Sequence, residues 1–167
     1  MGSPNQQEQQ GTLSIADALN RKRVVITGAT TLTTAQSGAL CVWNSATGYT
    51  FTLPAITANT VGTWFDFQVQ VTNTATACKI ITDAATTFLL GSVHTIIIAT
   101  TPGANAGPKA FAFDGTTHVA CTMGGSDTTA GGVTGTRVRV EALSATQWAI
   151  SGTIIAAGTI VTPAATS

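Results

Sequence analysis

From residue 24 onward, apolar and polar side chains alternate with a period of two in short runs, the pattern of strands with one buried and one wet face. The clearest run is 64–71, where Phe65, Phe67, Val69 and Val71 share one side and Trp64, Asp66, Gln68 and Gln70 the other. Residues 137–142 repeat the alternation with Arg137, Arg139 and Glu141 outward, and Tyr49, Phe51 and Leu53 make a third inward row. Further strands are predicted at 24–27, 40–44, 78–82, 93–99, 109–113, 118–123 and 147–151, with one or two more between 153 and 161. Turn-forming clusters of Gly, Pro, Asn, Asp, Ser and Thr separate them. Asp114-Gly115, between Phe113 and His118, reads as a hairpin turn. The stretch 124–135 carries five glycines and one larger apolar side chain, Val133, and is expected to be mobile or ordered only by a partner.

About ten strands with no helical period between them predict an all-β fold: an antiparallel β-sandwich or barrel-like domain, of jelly-roll or β-tulip type, over 24–152. A C-terminal strand and tail are expected over 153–167, and residues 1–23 form a short N-terminal arm. The arm begins Gln-rich, with too little apolar surface to offset ordering. It includes a possible helical turn or two at 14–19, with Ser14 as cap and Asp17 near the positive helix end. Arg21, Lys22 and Arg23 close it as the one charge cluster of the chain. That triplet reads either as a solvated helix end or as a contact for an acidic or phosphate surface.

Composition sharpens this picture. Thr, Val and Ile together fill 57 of 167 positions, as a β protein requires. Only 8% of residues are charged, and seven basic side chains are balanced by seven acidic ones. Zero net charge removes the general attraction on which nucleic-acid binding depends. The longest aliphatic run, 96–99, is far short of a membrane span, and no basic-plus-apolar leader opens the sequence, so synthesis in a cytoplasm is expected. Cys41, Cys78 and Cys121 lack paired spacing and sit in apolar runs, the setting of reduced core thiols.

Candidate chemistry is sparse. Residues 24–29, Val-Val-Ile-Thr-Gly-Ala, resemble the opening strand and turn of a short-chain dehydrogenase, but Leu32 and Thr34 occupy the two later glycine positions and Tyr49 has Leu53 four residues on instead of Lys. A pyrophosphate cannot approach a backbone shielded by such side chains. No nucleophile elbow is present; His94 and His118 lie in strand runs and read as sheet histidines. Metal-ligand spacings are missing. Asp66, Asp83, Asp114 and Asp127 are dispersed, leaving open only a carboxylate pair assembled by folding. No catalytic residue, cofactor site or metal site is therefore assigned. Trp43 and Trp148 read as core or rim, whereas Trp64 shares the wet face of its strand, as an interface aromatic would.

Three segments carry a resemblance: Leu32-Thr33-Thr34-Ala35-Gln36-Ser37-Gly38-Ala39-Leu40, then Ala46-Thr47-Gly48-Tyr49-Thr50-Phe51-Thr52-Leu53-Pro54, and finally Gly135-Thr136-Arg137-Val138-Arg139-Val140 leading to Gln147-Trp148-Ala149-Ile150-Ser151-Gly152. Their order is similar to that of small β-rich structural proteins of tailed bacteriophages, especially capsid decoration (cement, head-stabilising) proteins and related virion-fibre domains. The resemblance implies a chain without catalysis, located on the capsid exterior of the virion. There it would bind as a homotrimer and clamp neighbouring subunits of the major capsid protein. The alternative is a tail-fibre or receptor-binding domain that holds a host surface glycan. Candidate partner contacts are Arg21, Lys22, Arg23, Trp64, Arg137 and Arg139. Partners are other copies of the chain and the major capsid protein, with neither nucleic acid nor membrane.

Overall fold

A computed structural model describes residues 22–98, 107–125 and 128–167. Among the described residues there are twelve strands: β1 (Arg23–Ile26), β2 (Thr30–Thr31), β3 (Leu40–Trp43), β4 (Thr50–Thr52), β5 (Trp64–Val69), β6 (Ala77–Ile81), β7 (Phe88–Ile97), β8 (Lys109–Asp114), β9 (Ala120–Gly124), β10 (Arg137–Ser144), β11 (Gln147–Ala156) and β12 (Ala164–Ala165). They form a seven-stranded sheet in the order β1-β3-β5-β10-β11-β7-β8 and a five-stranded sheet in the order β12-β9-β6-β4-β2. The inner faces meet in one apolar core, where Trp43 and Phe67 of the larger sheet pack against Phe51 of the smaller at ring-centroid distances of 5.0 and 5.4 Å. The class is thus all-β and sandwich-like. Each strand order is open at both ends, so neither sheet closes into a barrel.

The sheets are mixed rather than purely antiparallel. From β1 to β6 the chain alternates between sheets at every strand, and β1–β3, β3–β5, β2–β4 and β4–β6 are all parallel. Parallel neighbours need a crossover, ordinarily a helix. Here a strand of the opposite sheet does that work, so the first half winds as a two-sided coil. The second half is mostly antiparallel, through β5–β10, β10–β11, β7–β8, β6–β9 and β9–β12, with β7 and β11 parallel.

Asp114-Gly115 is not a hairpin: β8 pairs with β7 in the larger sheet and β9 with β6 in the smaller, so this turn carries the chain between layers. Asp114 is occupied in shaping it, accepting hydrogen bonds from the backbone of Thr116 (2.9 Å) and Thr117 (2.8 Å) and from the Thr117 hydroxyl. Those bonds, the Thr117 hydroxyl's first, hold the Asp114 carboxyl well below the usual carboxylate range. Of the one or two strands expected between 153 and 161, only the first part is strand, as the continuation of β11 to Ala156; β12 then adds to β9 at Ala164–Ala165.

The described part of the glycine-rich stretch is anchored. Gly132 O accepts from Asn73 N at 2.8 Å, Gly135 N donates to Val69 O at 2.9 Å, and Gly131, Gly132 and Val133 are buried. Gly132, at φ 76°, crosses Gly124 so closely that a Cβ would stand 2.6 Å from the Gly124 Cα. Glycine here permits a backbone crossing, and the low side-chain content does not mean mobility.

Candidate interaction face

Strand parity sorts the side chains of the seven-stranded sheet. Phe65, Phe67, Val69, Val138, Val140, Trp148 and Ile150 face the core. Their neighbours point outward and line up across strands: Trp64 beside Glu141, Asp66 beside Arg139, and Gln68 beside Arg137. Leu40 extends the Asp66 row into β3, and Val42 the Gln68 row. The β5–β10 pairing therefore places two separately legible polar rows side by side.

At the centre, Arg139 grips Asp66 with two bonds, Nε to Oδ1 at 2.9 Å and Nη2 to Oδ2 at 3.2 Å. The same guanidinium lies over the Trp64 ring, with its carbon 4.2 Å from the centroid. Hydrogen bonding by Asp66 leads the effects that raise the Arg139 pKa above its ordinary value. Trp64 is fixed from its other side by the short 3-10 turn at Thr34–Gln36 and the residues after it. Gly38 N donates to Trp64 O at 2.8 Å, Trp64 N donates to Ser37 Oγ at 3.2 Å, and Gly38 backs the ring near Cζ2. Because Arg139 covers one ring face, Trp64 is a braced aromatic more than a bare stacking plate.

Of the sequence-predicted contacts, Arg23, Trp64, Arg137 and Arg139 come together on this face. Arg23 opens β1, and its Nη2 donates to Gln70 Oε1 at 2.6 Å across the intervening β3. Arg137 is exposed between Gln68 and Thr153. Lys22 precedes β1, exposed at the sheet's edge, and its carbonyl accepts from Leu40 N at 2.7 Å. Arg21 and the helical turn predicted at 14–19 lie outside the described residues.

Sequence reasoning missed the apolar share of this face. Val25, Leu90 and Ile96 project from it, Leu143 sits at the bulge near the end of β10, and Ile98 follows β7; all five are large apolar side chains exposed to solvent. None of the exposed large apolar side chains belongs to a strand of the five-stranded sheet. The parity of 88–97 would have revealed Leu90 and Ile96, but Gly91 interrupts that run.

The remaining candidates stay separate. His94 is exposed on β7 beside Thr153, whereas His118 Nδ1 accepts from Asp114 N at 3.2 Å and its ring meets Phe113 edge-on. Asp83 is exposed in a loop, and Asp127 lies outside the described residues. Among the described residues, no group of three or more His, Cys, Asp or Glu side chains is placed to hold a metal ion. Trp43 and Trp148 are buried in the core, as are all three thiols.

Arg139→Ala is expected to lower unfolding free energy by only about 1 kcal/mol, since a half-exposed ion pair and a surface cation–π contact each contribute little. Urea unfolding measures this; a loss above about 3 kcal/mol would mean that the triad holds the fold together instead of presenting a surface. No family model, curated protein or solved structure matches the chain.

Proposed function

We propose that this chain is a structural virion protein. It binds the outside of a mature phage capsid as an oligomer, a homotrimer in the leading form of the reading, and stabilises contacts between major capsid subunits. The observation that carries the reading is the broad outer face of the seven-stranded sheet, with its braced Trp64–Arg139–Asp66 centre and exposed Val25, Leu90, Ile96 and Leu143. Aromatic and Arg anchors among apolar surface are the composition of a protein interface. The order of the phage-like segments directs that general reading towards a shell.

The energetics suit the role. A ligand that binds only the expanded lattice stabilises it by mass action, about 2.7 kcal/mol per site at a hundredfold excess over Kd. The glycan-binding alternative draws less support, because Arg139 occupies a face of the Trp64 ring on which a sugar would stack.

Co-sedimentation with purified mature capsids and with unexpanded precursor shells tests the proposal. Saturable binding to the mature form, with a raised temperature of capsid disruption, is the expected result. Absence of binding at micromolar concentration overturns it.

A further inference from the structure

Most surface apolar residues of a soluble protein are scattered, and scattered ones need no explanation. Here the distribution between the two sheets is one-sided. Among the described residues, Val25, Leu90, Ile96, Leu143 and Ile98 belong to the outer side of the larger sheet or its margins and the other exposed large apolar side chains, Val61, Val71 and Val161, to loops, while the smaller sheet presents Thr31, Thr50, Thr52, Lys79 and Thr122 with one half-buried large apolar side chain, Ile81. Ile96 is 50% exposed and stands directly beside Ile155 on β11. Seven strands at the usual spacing, each about six residues long, give a face on the order of 600 Å² in plan, approaching the ~800 Å² per partner of a standard interface.

The charges on this face indicate its occupant. Arg23, Arg137 and Arg139 are interspersed with Asp66 and Glu141, with Arg139 and Asp66 already paired in the same copy. A nucleic acid or a strongly acidic partner would call for one sign of charge. A mixed, nearly balanced face on a chain of zero net charge is compatible with itself, because two copies approach without net repulsion and each sign finds its opposite.

We infer that the outer face of the seven-stranded sheet is the surface through which copies of this chain associate. The inference rests on the oligomeric part of the function proposed above and departs from its trimer, because a face that meets its own copy makes an isologous contact and closes a twofold pair. Both readings draw on this face, but mass in solution is measured with no capsid present, so they fail separately.

Light scattering coupled to size exclusion, on the full chain from one to a hundred micromolar, is expected to give a multiple of the 16.9 kDa monomer mass. The double variant Leu90→Lys/Ile96→Lys is expected to dissociate at least tenfold more readily, and Thr31→Lys on the other sheet to leave the mass unchanged. Should the double variant fail to fold, single Ser92→Cys and Thr31→Cys variants supply the second readout, because the native thiols are buried and both new positions are exposed. Maleimide labelling at Ser92→Cys is expected to slow several-fold at high protein concentration, with labelling at Thr31→Cys unaffected. A wild-type chain that stays monomeric throughout overturns the inference. So does an oligomer that is indifferent to Leu90→Lys/Ile96→Lys, or that labels equally fast at Ser92→Cys at all concentrations.

Discussion

Replacing Asn73 by alanine is expected to lower the unfolding free energy by about 3 kcal/mol, a large fraction of what a domain of this size possesses. Asn73 has no exposed surface and joins three pieces of chain that the strand ladders leave separate. Its side-chain amide donates to Ser45 O at 2.8 Å, its side-chain carbonyl accepts from the Cys78 thiol, and its backbone N donates to Gly132 O at 2.8 Å. The first bond fixes the turn after β3, the second the start of β6, and the third the glycine crossing ahead of β10. Truncation strands the fully buried Cys78 thiol and the half-buried Ser45 carbonyl, and an unpaired buried polar group costs about 1–3 kcal/mol. With a urea slope near 2 kcal/mol/M, the midpoint should fall by about 1.5 M. Asn73→Asp keeps the acceptor but loses the donor to Ser45 and buries a charge, so it should be worse than alanine at neutral pH and recover on acidification. A midpoint shift below about 0.3 M for alanine would show that Asn73 is incidental.

Nothing in the sequence around 72–76 marks this node. A loop Asn between Thr residues looks like turn chemistry, and its partners at 45, 78 and 132 become neighbours only after the sheets form. The strands themselves were legible because a period of two exposes the buried face directly: 137–142 appears as read, as does the core placement of Phe65, Phe67, Val138 and Val140, whereas the run read over 64–71 ends at Val69 and leaves Val71, read as inward, exposed. Ends were lost at glycines. Gly91 lies inside β7 and Gly152 inside β11, and each broke an alternation that in fact continues.

Strand direction was less legible still. Absence of helices suggested antiparallel sheets, yet direction depends on which strand supplies the crossover, and a strand of the opposite layer does so without leaving a sign in composition. Asp114-Gly115 misled for the same reason: a tight turn fixes a reversal of the chain, not the sheet it enters next. The face gathering Arg23, Trp64, Arg137 and Arg139 was half legible. Each row was visible alone, but the pairing of β5 with β10, and hence Arg139 with Asp66, depends on contacts 73 residues apart in the chain.

Alkaline pH is expected to destabilise the protein steeply, through the two thiols of the smaller sheet. Cys78 on β6 and Cys121 on β9 point into the core beside Met123 and Ile80. Burial pushes the Cys121 thiol up to about 12 and, with the Cys121 charge adding to burial, raises Cys78 further. Unfolded cysteine titrates near 8.5. Below that pH both states hold their protons and the contribution to stability is complete. Above it only the unfolded chain releases them, so each thiol removes about 1.4 kcal/mol per pH unit until the native values are passed. Between pH 8.5 and 11 the pair should cost on the order of 5 kcal/mol, enough to unfold many domains. Thermal or urea unfolding across that range measures the slope, and Cys78→Ala/Cys121→Ala supplies the control, because other alkaline groups remain in both proteins. The double variant should start less stable at pH 7, having lost buried volume, and then decline far less with pH. An alkaline limb equally steep in both proteins would assign the effect to other groups. A disulfide reagent that titrated Cys121 at pH 8 in the folded protein would contradict its burial directly.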